Sequence, residues 1–175
     1  SLLDEPPAPA RQPGEAFCGY RIEALIGRGG MSEVYRATRD YGEFRATVAL
    51  KVLHHQGQAN PALRDYLRHE QRALSRLDHP GIARFIDAGE GPGGELYLAM
   101  EYVEGEPIAD HADRHALPLK ARVDLLIALC GALEHAHARR LVHGDVKSAN
   151  VLVDHEGRLR LVDFGIASEA GRSEE

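Results

Sequence analysis

From Tyr20 onward, short apolar runs alternate with polar turns, the period-two pattern of half-buried strands. Five runs qualify: Arg21 to Ile26, Glu33 to Thr38, Thr47 to Leu53, Ile82 to Ala88 and Glu95 to Tyr102. Between the third and fourth the period lengthens to that of a helix. Asn60 offers an N-cap and Pro61 the first helical position, and Leu63, Tyr66, Leu67, Glu70, Leu74 and Leu77 fall on one stripe. A glutamate among leucines needs a cation, or must lose its charge; alternatively Glu70 snorkels from the edge of the stripe. A second helix is predicted from Leu119 to Arg139. One of its faces carries Leu119, Val123, Leu126, Ile127, Cys130 and Leu133, the other Leu125, Leu129, Ala132 and Ala136, so it should be covered on most sides. Residues 1–19 hold four prolines and no periodicity, which reads as a flexible leader without chemistry.

Composition narrows the class. With 175 residues, 43% hydrophobic and 27% charged, the chain can bury the core of one ordinary domain or two small lobes. A net charge of -6 argues against a non-specific nucleic-acid binder, which presents a basic face to a polyanion. Cys18 and Cys130 are the only cysteines, so neither a disulfide framework nor a cysteine-rich metal site is indicated, and a reducing cytoplasmic setting is expected. No apolar run is long enough to span a bilayer and no secretory signal opens the chain; the cytosolic piece of a larger membrane protein would look the same. His135 with His137, and His54 with His55, lack a third ligand at supporting spacing, which argues against zinc.

Four stretches carry candidate chemistry. Gly27, Gly29 and Gly30 sit in the turn between the first two strands; such a turn lets backbone N–H groups approach phosphates, or simply closes a hairpin. Ala49 and Lys51 share one face of the third strand. Lys51 alone could be a solvated strand lysine, but an inward Glu70 on the next helix would satisfy it. His143 to Asn150 groups Asp145, Lys147 and Asn150 before an apolar strand. That set suits accepting a hydroxyl proton, steadying a phosphoryl group and holding a metal, or is a polar surface loop. Asp163, with Phe164 and Gly165 at the end of an apolar strand, offers oxygen ligands to a hard cation, or marks a turn.

Taken in order and spacing, these four stretches resemble the protein kinases from about Tyr20 to Ser168, in particular the bacterial serine/threonine branch. The resemblance implies an α+β kinase-like fold: a flexible leader (1–19), a five-stranded antiparallel N-lobe with one helix (20–104), and an incomplete, mainly helical C-lobe (105–175). It implies ATP and Mg2+ as cofactors and a protein substrate phosphorylated on Ser or Thr. Lys51, held by Glu70, would bind the α- and β-phosphates; Asp145 would receive the substrate hydroxyl beside Lys147; Asn150 and Asp163 would hold magnesium. Ile26, Val34, Ala49 and Leu152 would close over adenine beneath the loop of Gly27 and Gly29. Met100 would be the gatekeeper, and the backbone of Glu101 and Val103 the hinge contacts. Leu74, Phe85, His143 and Phe164 match the contacts that join the lobes.

The chain departs from the family pattern in three places. Ser32 stands where a third loop glycine is usual, predicting altered lid geometry. Gly144 replaces the arginine that commonly pairs with an activation-segment phosphate, predicting that this switch is absent. No Ala-Pro-Glu signature or later helices follow Gly165, so the second apolar face of the long helix should be left open, for self-association, a partner or further residues. Two other functions compete: a nucleotide-binding, pseudokinase-like scaffold, and a small-molecule phosphotransferase of the aminoglycoside-kinase type.

Overall fold

The structure, a computed structural model, describes residues 10–29, 32–53, 68–69 and 71–164. Strands β1 (Ala16–Phe17), β2 (Tyr20–Arg28), β3 (Ser32–Asp40), β4 (Arg45–Leu53), β5 (Phe85–Glu90) and β6 (Leu96–Glu101) form one sheet in the order β1-β2-β3-β4-β6-β5. Every neighbouring pair in it is antiparallel. Then come β7 (Gly105–Pro107), helix α1 (Ile108–Arg114), helix α2 (Leu119–His137), a 3-10 turn (Ser148–Asn150), β8 (Val151–Asp154) and β9 (Leu159–Leu161); β7, β8 and β9 form a second sheet. Among the described residues, no helix is long and apolar enough to cross a membrane.

Alternation along β4 explains how one sheet serves two purposes. Val48, Leu50 and Val52 are buried in a core with Tyr35, Tyr20, Ile22, Tyr97 and Ala99, while Ala49 and Lys51 face the other way. On that second side, Leu98 and Met100 join Leu74, Leu77, Ile82, Ala132, Ala136, Val151, Leu161 and Phe164 in a core that runs from the large sheet into the helical part. Each large apolar side chain fully buried in these cores contributes roughly 1.5–3 kcal/mol. Backbone bonds reinforce the junction: Leu161 N–H donates to Gly81 O at 2.7 Å and Ala83 N–H to Leu161 O at 3.0 Å.

Several expectations change. The large sheet has six strands, because residues 10–17, expected as flexible leader, fold onto its edge. Ile22 N–H donates to Glu15 O at 2.9 Å, and Ala16 and Phe17 pair with Arg21 and Tyr20. The Arg11 guanidinium lies 3.9 Å from the centre of the Phe17 ring and pairs with Glu15 at 2.6 Å and Glu95 at 2.7 Å. Half of the helix expected from Asn60 to Leu77, Glu70 included, lies outside the described residues; residues 71–74 are helical, and Leu74 and Leu77 are buried. The long helix ends at His137, two residues early. It does have two apolar faces, but the open one is the first: Leu119, Leu126 and Ile127 are 78%, 54% and 64% exposed, whereas Ala132 and Ala136 are buried with Leu125 and Leu129 against them.

Candidate active site

Lys51 projects from β4, two residues before its end, and is buried. Its Nζ lies 2.5 Å from Asp163 Oδ1 and donates to Phe164 O at 3.3 Å. Asp163 follows β9 with φ at +52°, a left-handed conformation that aspartate tolerates better than most residues. The partner expected for Lys51, Glu70, lies outside the described residues; among the described residues, the carboxylate against the ammonium is that of Asp163.

The loop between α2 and β8 supplies the second half of the site. His143 is buried. Its Nε2–H donates to Val162 O at 2.8 Å and its Nδ1 accepts from Asp145 N–H at 3.2 Å, so the ring is neutral with its proton on Nε2. Burial pushes its pKa below the ordinary histidine value, and its ring packs 4.6 Å from that of Phe164. Gly144 follows with φ at +76°, a conformation glycine adopts without a Cβ penalty and arginine does not. Its presence in place of the family's arginine is therefore a backbone matter as well as a lost charge.

Asp145 is held from two sides. Lys147 Nζ lies 2.8 Å from its Oδ2. The buried Asn150 donates through Nδ2 to the same oxygen at 3.0 Å and to Asp145 O at 2.9 Å. The Lys147 ammonium first, then the Asn150 amide, keep the Asp145 carboxyl below the usual aspartate value, and Asp145 raises Lys147 in return. Asn150 O accepts Val162 N–H at 2.9 Å. His143 and Asn150 thus stitch the Asp145 loop to the residue preceding Asp163. With its nitrogen occupied, Asn150 offers a hard oxygen, Oδ1, and Asp163 offers carboxylate oxygens; this donor set fits Mg2+ and not a softer metal.

Of the residues expected around adenine, Val34, Ala49 and Met100 share the Lys51 face of the large sheet. Gly27 pairs with Val34, Val34 with Lys51 and Ala49 with Met100 across the sheet, and Leu152 pairs with Pro107. Met100 and Val103 are buried; Ile26 is 47% exposed, and Val34, Ala49 and Leu152 are partly so, as suits walls of an open cleft. Gly29 N–H donates to Ser32 O at 2.8 Å, closing the turn in which Ser32 replaces glycine. The Glu101 carboxylate accepts from Arg160 at 2.6 Å and from Arg84 N–H at 3.1 Å, anchoring the connection between the two sheets to β9. Sequence reasoning missed Arg160 and Val162, and no local signal marks either; both matter through partners distant in the chain.

The family model described as protein kinase domain matches residues 20–175. The chain is 40% identical over 153 residues to serine/threonine-protein kinase PknA of Mycobacterium tuberculosis, covering 85% of this chain and 35% of that protein. It is 35% identical over 161 residues to the probable serine/threonine-protein kinase SCO3848 of Streptomyces coelicolor, covering 88% and 23%. The crystal structure of the Mycobacterium tuberculosis PknI kinase domain superposes with a TM-score of 0.74 at 38% identity, covering 91% of this chain and 63% of that one. The chain therefore spans about a third or less of the length of these curated relatives. With a family model matched over residues 20–175 and a fold shared with these proteins, the chain belongs to the protein kinase domain family.

Proposed function

We propose that this chain is the ATP- and Mg2+-binding part of a serine/threonine protein kinase, whose whole form transfers the γ-phosphate of ATP to Ser or Thr hydroxyls of a protein. Residues 20–104 are the nucleotide-binding lobe, and 105–175 the start of the lobe that carries the catalytic loop. A cytoplasmic setting, where ATP is available, suits this role. The carrying observation is the double tether by which His143 and Asn150 join the Asp145 loop to Val162, next to Asp163 and its partner Lys51. That tether fixes a proton acceptor and a cation-binding carboxylate relative to each other, as positioning catalysis requires.

In this reading Lys51 neutralises phosphate charge, and Glu70 is its second carboxylate partner. Asn150 Oδ1 and Asp163 would hold Mg2+, which when bound supplies charge neutralisation at the phosphates. Asp145, kept ionised by Lys147 and Asn150, accepts the hydroxyl proton, and Lys147 also faces the transferred group. The named activity of PknA and SCO3848 supports the choice of a protein hydroxyl acceptor. The test is a radiolabel transfer assay on the parent protein with Ser/Thr peptides and aminoglycosides side by side. Transfer to peptides that falls about 10²–10⁴-fold in Asp145→Asn is expected. Transfer confined to aminoglycosides, or unchanged by the substitution, contradicts the reading.

A further inference from the structure

We propose that Glu106, His111 and His115 form a binding site for a divalent transition metal of the zinc class, separate from the oxygen-ligand cation site of the cleft. Glu106 lies on β7, five residues before His111. His111 and His115 are spaced i, i+4 on α1 and its C-cap, which puts both imidazoles on one face. Their ring centres are 4.5 Å apart. Glu106 Oε1 lies 3.0 Å from His111 Nδ1 and 3.5 Å from His115 Nε2, and the three ligand atoms all fall within 4.8 Å of one another. Zinc bonds of about 2.0–2.1 Å in a tetrahedron place ligand atoms about 3.3–3.4 Å apart, a value the two Glu106 distances bracket.

The donor set is the second argument. Two imidazoles and one carboxylate suit zinc, copper or nickel, whereas magnesium selects oxygen. Glu106 Oε1 is at hydrogen-bond distance from His111, whereas its 3.5 Å to His115 is long for one; a cation between the three would engage all of them at once. The other oxygen, Oε2, is buried and accepts no hydrogen bond, with the Arg114 guanidinium 3.1 Å away as an ion pair. His115 is 53% exposed, so the fourth metal position opens to water, as in sites with three protein ligands. A bound metal would fasten α1 to β7. Both already touch the catalytic-loop side: Glu106 pairs with Val153, and Ala109 N–H donates to Ser148 Oγ at 3.2 Å.

The test titrates zinc into the metal-free chain against a chromophoric chelator, with cobalt as a spectroscopic stand-in. One equivalent is expected, with the intense visible absorption of tetrahedral cobalt and a rise in thermal midpoint that grows with zinc concentration. His115→Ala and the volume-preserving His115→Gln should each lower affinity at least tenfold, with the metal-free midpoint unchanged. His155→Ala, at an exposed histidine paired with Glu104, should leave binding intact. Arg114→Gln, which removes a neighbouring positive charge, should tighten it. Less than one equivalent, octahedral cobalt spectra, or unchanged affinity in both His115 variants would overturn the proposal.

Discussion

The Lys51–Asp163 pair makes the most exacting prediction. Replacing Lys51 with methionine keeps most of the buried stem and removes the ammonium; replacing Asp163 with asparagine removes the opposite charge. At the observed 2.5 Å, Coulomb's law gives about 1.7 kcal/mol at the dielectric of water and about 6.6 kcal/mol at an effective value of about 20. The Lys51 side chain is 10% exposed and that of Asp163 31%, so water screens the pair from one side while desolvation of the ammonium opposes it. The net coupling should fall at about 1–3 kcal/mol. Urea unfolding of the wild type, the two single variants and the double variant closes the cycle, without nucleotide and at low salt. A coupling below about 0.3 kcal/mol would refute the pairing and hand the ammonium to another carboxylate. The same cycle with Glu70→Gln then asks whether that carboxylate is Glu70.

Three more outcomes follow from the same contacts. His143 is buried neutral with its pKa lowered by burial, so the unfolded chain binds the extra proton first. Its contribution is full above about pH 6.5, the ordinary histidine value, and is lost as pH falls from there toward the depressed folded value; pH-dependent urea midpoints should show this loss in the wild type and less of it in His143→Gln. On α2, Leu126→Lys and Ile127→Lys should change unfolding free energy by no more than about 0.5 kcal/mol, whereas Ala136→Leu should cost about 1–3 kcal/mol by overpacking; thermal and urea melts compare them, and sedimentation reads whether the lysines reduce self-association. A Cβ on Gly105 would meet Val153 O at 2.6 Å, so Gly105→Ala should separate β7 from β8 and cost about 1–3 kcal/mol, checked by the same melts.

Much of this was written locally in the chain. The period-two alternation of Thr47 to Leu53 placed Ala49 and Lys51 together, and β4 bears this out. The two apolar faces of α2 were legible from spacing, but which face packs was not, because both are apolar and only tertiary contact chooses between them. Partners distant in sequence were likewise hidden: Lys51 and Asp163 are 112 residues apart and Arg11 and Glu95 are 84 apart. The strand at Ala16–Phe17 is too short for a period to register and is held by Arg11 on the Phe17 ring, a contact that leaves no pattern. The His111 and His115 pair did carry a signal, an i, i+4 spacing; its carboxylate came from the neighbouring strand, which only the fold aligns.

The most direct measurement is calorimetric binding of ATP to the chain with and without Mg2+, for the wild type, Lys51→Met and Asp163→Asn. Saturable binding that requires Mg2+, weakened at least tenfold by either substitution, is predicted. Absence of saturable binding, or binding indifferent to Mg2+ and to both substitutions, would contradict a phosphate and cation site at this pair.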